Sequence, residues 1–287
     1  MKNILTYYQN IPLHLDPVIF SVGSFSLGWY SAMYLVAFCV IYLLLRYRVR
    51  HDVSVGKFRN LIFDFMLYAF VGALIGGRVG YVLLYNLPYY LSHLAEAFLP
   101  VQVTSYGLLV TGYHGMSYHG GVLGIIAATW IFVRNNASKW KISFWSLADF
   151  VAPAVPAGYF FGRIGNFLNL ELYGRVTGSW FGMYFPLFTG AGPLLRYPSQ
   201  LFEAFLEGVV LFGILWLVRN KNKFSGFNLV VYLIGYGIVR IVVEFFREPD
   251  EQIGLIFNYF TLGQMFSAIM IIAGLVIYFR RRKLKII

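Results

Sequence analysis

Seven apolar stretches of this chain are each long enough to cross a lipid bilayer, and short polar loops separate them. A transmembrane helix needs about 20 consecutive, mostly apolar residues. Soluble domains are roughly 45–50% apolar, whereas 59% of this chain is hydrophobic and only 12% is charged. The sequence therefore predicts an all-α polytopic membrane protein of about seven transmembrane helices, at about 27–45, 61–85, 116–133, 142–161, 199–218, 227–246 and 257–279.

The spans leave little length for a separate soluble domain, so we predict one integral membrane domain over residues 1–287. The segment 87–115 is amphipathic and is expected at a membrane surface. Residues 176–198 are rich in glycine, proline and aromatic residues and are expected to form a small extramembrane head with short strands. The beginning of the chain lacks the apolar core and cleavage pattern of a signal peptide, so none is expected.

The spans contain closely spaced glycines, two prolines and the chain's single cysteine. Gly72, Gly76 and Gly80 recur every four residues, a pattern that predicts close approach of a neighbouring helix. Prolines in the fourth span, such as Pro153, predict that this helix is buried in the bundle, where neighbours satisfy its backbone groups. Cys39 rules out an internal disulfide and is expected to pack as a small hydrophobic residue.

Most of the 23 lysine and arginine residues lie in four segments, 46–59, 134–141, 219–223 and 280–285. In a seven-span chain these segments lie on the same side of the membrane, which the positive-inside rule makes the cytoplasmic side. The N-terminus, the head and the segment 87–115 are then outside, and the C-terminus is cytoplasmic. We interpret the four clusters as topology signals only, and they explain the net charge of +11 without a nucleic-acid partner.

Arg78 and Arg240 lie inside predicted spans. A charged side chain there costs about 2.5–3.5 kcal/mol on insertion scales unless it is paired or faces a polar cavity. Arginine suits phosphate because its planar guanidinium donates two parallel hydrogen bonds. For Arg78, an ion pair with Asp64 or Asp149 is an equally good interpretation, and the residues alone leave both open.

The stretch 162–175 is unusually polar for this chain, with two arginines, two asparagines and a glutamate. It is either a surface loop between two spans or an anion site. Tyr236, Arg240 and Glu244 follow at i, i+4 and i+8, so a helix would place them on one face. His119 precedes two glycines near the outer end of the third span and could act as a general base or serve a structural role.

These blocks resemble the bacterial prolipoprotein diacylglyceryl transferase family. The stretch Gly162–Arg175 is similar to the family signature, and the other blocks follow in the family's order. The sequence departs from the family pattern at Leu170 and Phe202, neither of which is a charged site residue. The matching blocks are Gly28-Trp29-Tyr30, Gly76-Gly77-Arg78, His119-Gly120-Gly121, Gly162–Arg175, Tyr197-Pro198-Ser199-Gln200 and Tyr236–Asp250.

The resemblance implies transfer of a diacylglyceryl group from phosphatidylglycerol to the lipobox cysteine of a preprolipoprotein, in the bacterial inner membrane. A thioether forms and glycerol phosphate leaves, with no metal or cofactor. By the resemblance, Arg163 and Arg240 bind phosphate and stabilise the leaving group, and His119 is the candidate base. The substrate-binding residues that it implies are Tyr30, Arg78, Asn166, Glu171, Gly174, Tyr236 and Glu244.

Two other classes of protein remain open on the sequence. A lipid or anion transporter would also use arginines and broken helices within the membrane, but it would be expected to show a repeat between the halves of the chain. A structural or assembly protein would explain the spaced glycines, but it would leave the polar cluster without a use. Formation of a new thioether separates the enzyme from both alternatives.

Overall fold

The computed structural model describes residues 2–23, 25–85, 87–98, 101–104, 107–110, 115–221, 223–249, 256 and 259–283. Two compact units divide the chain. Unit 1 consists of Met1–Ser54 with Ala148–Ile287, and unit 2 consists of Val55–Leu147. Both units contain helices of membrane-spanning length, and the interpretation of the chain as one integral domain stays a prediction.

Helices make up most of the described chain. In order they are α1 (Lys2–Asn10), α2 (Trp29–His51), α3 (Ile62–Tyr85), α4 (Leu87–Ser92), α5 (Leu94–Phe98), α6 (Tyr118–Trp140), α7 (Phe144–Val151), α8 (Val155–Leu168), α9 (Ser199–Glu203), α10 (Leu211–Val218), α11 (Phe227–Glu244) and α12 (Leu262–Lys283). A π-helical segment, Ala204–Val210, joins α9 to α10. Short antiparallel hairpins pair β1 (Val18–Val22) with β2 (Phe25–Gly28), β3 (Val101–Thr104) with β4 (Gly107–Val110), and β5 (Met183–Tyr184) with β6 (Leu195–Arg196).

Five helices within the described residues are long and apolar enough to cross a membrane, and they support an all-α polytopic membrane protein. The other two predicted spans are also helical. Helix α6 carries Arg134 and Lys139 in its second half, and a 3-10 turn at Ala152–Ala154 separates α7 from α8 at Pro153. Their crossing of the membrane stays a prediction. The five are Trp29–His51, Ile62–Leu84, Ser199–Val218, Phe227–Glu244 and Leu262–Lys283.

Helix α2 is longer than the sequence indicated. It continues to His51, past the end of the predicted span at residue 45, and where the membrane ends along it stays a prediction. Arg48 is fully buried near its end, where Nε donates to Asp52 Oδ2 at 2.8 Å and Nη1 donates to the carbonyl oxygen of Asp149 at 3.0 Å. The interpretation of this basic cluster as a topology signal only is therefore wrong for Arg48, which ties α2 to α7.

Asp52 joins the same buried cluster from the residue after α2. Burial alone would raise the pKa of its carboxyl, but hydrogen bonds from Arg48 and Asn220 and the charges of Arg48 and Arg219 hold that pKa below its usual range. The carboxylate is thus ionised at neutral pH. The stability that it contributes is present above the unfolded pKa of about 3.9 and is lost as the pH falls through the folded value.

Cys39 is exposed on α2, so the prediction that it packs inside the protein is wrong. Another face of α2 packs against α8, where Ile41 lies beside Gly158 and Ala37 is buried. Pro153 and its neighbours are buried, as predicted for a proline-containing helix inside the bundle. The residues of α2 that face α8 are therefore buried, and Cys39 lies on another face of the helix, which is exposed.

Three polar residues fix where the last two helices begin, Asp149 for α11 and the pair Thr261 and Gln264 for α12. The Asp149 carboxylate accepts hydrogen bonds from the backbone N–H groups of Gly226 at 2.6 Å and Asn228 at 2.7 Å, at the start of α11. Thr261 and Gln264 form a reciprocal cap of α12, since each backbone N–H donates to the other's side chain, at 3.1 and 3.2 Å. This cap explains why α12 begins at residue 262, and the predicted start at 257 lies outside the described residues.

In unit 2, the spaced glycines of α3 face a second glycine row on α6. A Cβ atom added to Gly72, Gly76 or Gly80 would clash with the backbone or side chains of α6, mainly at Gly120 and Gly124. Without side chains in the way, the two backbones lie in direct contact. The predicted close approach of a neighbouring helix is confirmed.

We expect the substitution Gly124→Ala to destabilise this helix pair, because the added methyl would meet the carbonyl oxygen of Gly72. Overpacking of this kind costs about 1–3 kcal/mol. The thermal unfolding midpoint of the purified protein should fall. The matched control is Gly121→Ala on the same helix, whose new methyl would lie at an ordinary 3.5 Å from the carbonyl of Ala73. Equal midpoints for the two variants would contradict this account of the packing.

The predicted head, 176–198, contains the short hairpin of β5 and β6, with Met183 opposite Arg196. Short strands were predicted here and are confirmed. Its apolar residues share a buried cluster with Phe167 and Leu170. Because those two residues belong to the stretch 162–175, the head packs directly against the end of α8.

Candidate active site

Arg163 lies on α8, within the polar stretch 162–175. Its Nε donates to the Tyr159 hydroxyl at 2.7 Å and lies 2.8 Å from Glu203 Oε2. Its Nη1 donates to Asn166 Oδ1 at 3.0 Å. Tyr159 and Asn166 occupy the i−4 and i+3 positions of the same helix, so they reach Arg163 along one helical face. The guanidinium is therefore held in a fixed orientation from two elements.

Arg240 lies on α11 and is only 8% exposed. Its Nη1 donates to Glu203 Oε2 at 2.8 Å and lies 3.4 Å from Glu207 Oε1. Its Nη2 lies 2.9 Å from Glu244 Oε2, one helical turn along. The predicted face of Tyr236, Arg240 and Glu244 is confirmed, since all three reach the same cluster. A helix-stabilising pair between Arg240 and Glu244 is present as well, but it is only one of the contacts of Arg240.

Glu203 links the two arginines, although they are far apart in the chain. Its Oε2 atom lies 2.8 Å from Arg163 Nε and 2.8 Å from Arg240 Nη1, and the Tyr159 hydroxyl lies 3.3 Å away. Glu203 and Glu207 are both fully buried, one turn apart where α9 passes into the π-helical segment. Isolated π-helical turns are often found at functional sites. We call the set Arg163, Arg240, Glu203, Glu207 and Glu244 the arginine–carboxylate cluster.

After α8, the polar stretch forms a loop with unusual backbone geometry. Leu170 and Leu172 have φ angles of 59° and 57°, in the left-handed region that costs a non-glycine residue about 1–3 kcal/mol. Leu170 is 2% exposed and packs with Phe167 and Phe185. This packing offsets the backbone strain, and it explains a large apolar residue at a position where the sequence departs from the family pattern.

Asn166 and Glu171 fasten the loop to the cluster. The Asn166 side-chain amide donates to Glu171 Oε1 at 2.7 Å while its oxygen accepts from Arg163. The Glu171 carbonyl accepts a hydrogen bond from Gln200 Nε2 at 2.6 Å, and the Leu172 carbonyl accepts one from Ser199 Oγ at 3.0 Å. The first turn of α9 thus holds the loop, and Glu203 lies at the other end of this short helix.

Gly174 lies where three chain segments meet. Its N–H donates to the Tyr197 carbonyl at 2.8 Å, and a Cβ atom there would clash with the carbonyl oxygens of Tyr197 and Phe246. The next residue, Arg175, donates its backbone N–H to Phe246 at 2.9 Å. Only glycine fits between these backbones, which explains the glycine at this position of the signature-like stretch.

A cavity of about 390 Å³ lies beside the cluster within unit 1. Glu171 belongs to its lining and to the Asn166 hydrogen bond, and Arg247 links it to the cluster, with Nη1 at 3.8 Å from Glu203 Oε1. Charged and apolar side chains both line the cavity, and the strained loop contributes to its wall. Its lining residues are Asn169, Leu170, Glu171, Leu172, Tyr173, Thr189, Arg247, Glu248 and Pro249.

Tyr30 and Tyr236, both predicted from the sequence as site residues, lie in unit 1 and make different contacts. The Tyr236 hydroxyl is 3.4 Å from the Tyr159 hydroxyl, which in turn accepts from Arg163. Tyr30 lies in the first turn of α2, where its Cα is 3.6 Å from the Cβ position of Gly165, and its hydroxyl is 3.0 Å from that of Tyr34. Tyr236 therefore touches the hydrogen-bonded cluster directly, whereas Tyr30 lies beside α8.

Arg78 belongs to unit 2, where its guanidinium donates to backbone carbonyls. Nε donates to Ala97 at 2.9 Å, Nη2 to Glu96 at 2.5 Å and Nη1 to Gly115 at 3.3 Å. Cations at the C-terminal end of a helix stabilise its last carbonyls, and Ala97 is in the last turn of α5. These contacts give Arg78 a structural use, and its predicted role in substrate binding stays a prediction.

His119 also belongs to unit 2, in the first turn of α6. The helix is capped by Ser117, whose hydroxyl accepts the Gly120 N–H at 3.2 Å. The half-buried histidine therefore sits at a well-defined helix start. Its assignment as a general base stays a prediction.

Comparison with known proteins identifies the family. A model of the prolipoprotein diacylglyceryl transferase family matches residues 17–280. The chain belongs to this family. The resemblance seen in the sequence motifs is thereby confirmed.

Curated relatives cover nearly the whole length of the chain. Each is named phosphatidylglycerol–prolipoprotein diacylglyceryl transferase. One from Chlorobaculum tepidum is 44% identical over 277 residues, which cover 96% of this chain and 93% of the relative. One from Pseudoalteromonas atlantica is 45% identical over 276 residues, covering 95% and 91%. A third, from Francisella tularensis subsp. novicida, is 43% identical over 265 residues, covering 92% of both chains.

Sequence reasoning found Glu244 but missed the other two carboxylates of the arginine–carboxylate cluster. Glu203 and Glu207 lie four residues apart inside a predicted span, so the cost of charge in a membrane marked them as strongly as it marked Arg240. Tyr159 was also missed, and its position four residues before Arg163 on a helix was the available signal.

Across the described part of the chain, no three histidine, cysteine or carboxylate side chains converge in an arrangement that could hold a metal ion. The prediction that no metal or cofactor takes part stays a prediction.

Proposed function

We propose that this protein transfers the sn-1,2-diacylglyceryl group from phosphatidylglycerol to the lipobox cysteine thiol of a preprolipoprotein. The observation that carries the proposal is the meeting of Arg163 and Arg240 on one carboxylate oxygen, each at 2.8 Å. The two arginines come from different helices and reach one place, where they can serve one phosphate group. Family membership and the shared name of the relatives support the same activity.

The reaction is a substitution at carbon. The thiolate sulfur attacks the glycerol carbon that carries the phosphate, a carbon–sulfur bond forms, and the carbon–oxygen bond breaks with its electron pair going to phosphate. Glycerol phosphate leaves, and the thiol proton must be taken up. The protein has to stabilise the negative charge that develops on the leaving phosphate, and buried guanidinium groups perform this task in a low-dielectric site.

Within this proposal, Arg163 and Arg240 bind the phosphate. Asn166 and Glu171 are joined by a hydrogen bond of 2.7 Å and together orient Arg163. They also form the wall of the pocket that faces the lipid headgroup. Gly174 closes the loop that lines the cavity. The nucleophile comes from the substrate, whose thiol has an unperturbed pKa of about 8.5 and must be deprotonated. His119 is the proposed acceptor of that proton.

We further propose seven transmembrane helices in the bacterial inner membrane, with the N-terminus and the head outside and the C-terminus cytoplasmic. The distribution of lysine and arginine supports this orientation. The site then faces the side to which a translocated precursor brings its cysteine. A reporter enzyme active only outside the cytoplasm, fused after residue 283, should be inactive, and an active fusion would refute the orientation.

The experiment that tests the activity uses the purified protein, phosphatidylglycerol vesicles and a lipobox peptide. Mass spectrometry should show the peptide heavier by one diacylglyceryl group, linked at cysteine. A peptide with serine in place of that cysteine is the control and should stay unmodified. A lipid or anion transporter would move lipid or anion between compartments and leave the peptide mass unchanged.

A further inference from the structure

Glu203 is shared between two arginines through a single oxygen atom. Oε2 lies 2.8 Å from both Arg163 Nε and Arg240 Nη1, while Oε1 makes no hydrogen bond among the described residues and lies 3.8 Å from Arg247 Nη1. The residue is fully buried. One carboxylate therefore stands at the centre of three guanidinium groups.

This arrangement is more than an ordinary buried ion pair. Two guanidinium groups repel each other when they are brought together in a medium of low dielectric constant. A carboxylate oxygen between them replaces repulsion with two attractions, and it fixes the distance between the groups. Burial of a carboxylate carries a large desolvation cost that excellent geometry must offset. In this site, the favourable geometry of Glu203 holds Arg163 beside Arg240.

Helix α9, which carries Glu203, is itself hydrogen-bonded to the loop that follows α8. Ser199 Oγ donates to the Leu172 carbonyl at 3.0 Å and Gln200 Nε2 donates to the Glu171 carbonyl at 2.6 Å. Both side chains are fully buried. Glu203 follows one turn later, so α9 sets the position of the carboxylate relative to the loop and to Arg163.

Both arginines retain donors after these contacts. Among the described residues, Nη2 of Arg163 and Nε of Arg240 donate no hydrogen bond, whereas the other nitrogen atoms contact Tyr159, Asn166 or carboxylates. Glu203 thus orients each guanidinium without using all of its donors. The remaining donors are available for the oxygen atoms of a phosphate.

We propose that Glu203 is a positioning residue for the transfer reaction, which holds Arg163 and Arg240 together so that both act on one leaving phosphate. The proposal rests on the proposed function. Glu203 acts through the arginines, and it touches neither the phosphate nor the thiol.

The test is the substitution Glu203→Gln, which keeps the shape of the side chain and removes its charge. We expect kcat for diacylglyceryl transfer to fall by about 100-fold or more, the effect of a misplaced charge-stabilising donor. The KM for phosphatidylglycerol should change much less. The comparison variant is Glu207→Gln, four residues further along in the π-helical segment, whose ion pair is with Arg240 at 3.4 Å and which makes no ion pair with Arg163 among the described residues. Its loss in kcat should be no more than about tenfold.

A double-mutant cycle separates positioning from a purely structural role. If Glu203 acts through the arginines, Glu203→Gln should cost much less in an Arg163→Lys protein than in the wild type, because the geometry is already lost. A purely structural carboxylate would lower the thermal midpoint and leave equal kcat costs in both backgrounds. Equal costs, or a Glu203→Gln protein with wild-type kcat, would overturn the proposal.

If Glu203→Gln fails to fold, Glu203→Asp serves instead, since it keeps the charge and withdraws it by one methylene. A folded Glu203→Asp protein should lose about tenfold or more in kcat, and full activity would overturn the proposal. Absence of transfer by the wild-type protein would instead refute the proposed function.

Discussion

The variant Arg240→Ala should lose transfer activity by about 1,000-fold or more. Removal of one charge-stabilising donor costs about 100- to 1,000-fold in kcat, and here several donors are lost together. The same change leaves Glu203, Glu207 and Glu244 without their shared cation. Breaking a buried ion pair from one side costs about 3–5 kcal/mol of stability, so part of the loss would reflect a less stable protein.

The variant Arg240→Lys separates the two effects. It keeps a positive charge near the three carboxylates, so the protein should fold, but an ammonium group cannot contact two carboxylates and a phosphate with the planar geometry of arginine. We expect about 100-fold loss in kcat with a thermal midpoint close to that of the wild type. Arg282→Lys, on the exposed end of α12, is the control for the substitution itself and should be fully active. An Arg240→Lys enzyme with more than a tenth of wild-type activity would contradict the assignment.

The second large effect is expected for Arg163→Ala. This change removes the guanidinium that contacts Tyr159, Asn166 and Glu203 at 2.7–3.0 Å. The phosphate loses one of its two cations, and Asn166 loses its partner on the side away from Glu171. We expect a loss of about 1,000-fold in kcat/KM, measured with vesicles of phosphatidylglycerol and the lipobox peptide.

Tyr159→Phe is the matched control for Arg163→Ala. It removes only the hydroxyl that accepts from Arg163 and lies 3.3 Å from Glu203, and it keeps the aromatic ring under the guanidinium. The loss should stay near that of a single hydrogen bond, about tenfold. A Tyr159→Phe loss as large as that of Arg163→Ala would show that the local packing, rather than the guanidinium, carries the effect.

The close contact of α3 with a neighbouring helix and the arginines of the site could be predicted from the sequence, because each depends on a local pattern. Four-residue glycine spacing predicted close approach of a neighbouring helix to α3, and this is confirmed at Gly72, Gly76 and Gly80, where the neighbour is α6. The helical spacing predicted that Tyr236, Arg240 and Glu244 share one face, and the family resemblance implied that Arg163 and Arg240 belong to one site. A charge inside an apolar span has few explanations, so such residues can be recognised without a structure.

The features that could not be predicted depend on contacts between segments that are far apart in the sequence. No local pattern shows that Arg48, unlike its basic neighbours at Arg46 and Arg50, turns inward to the carbonyl of Asp149. Exposure of Cys39 follows from the side of α2 on which α8 packs. The positive φ angles of Leu170 and Leu172 are tolerated because the loop packs on the head, which propensity alone cannot anticipate.

The meeting of the two arginines on Glu203 is the central feature of the site, and a stoichiometric measurement tests its purpose most directly. Purified protein would be incubated with phosphatidylglycerol labelled in its headgroup and with a lipobox peptide. We predict one glycerol phosphate released for each thioether formed, with both products falling together in Arg163→Lys and Arg240→Lys. Thioether formation at the wild-type rate in either variant, or glycerol phosphate released without thioether, would contradict the account.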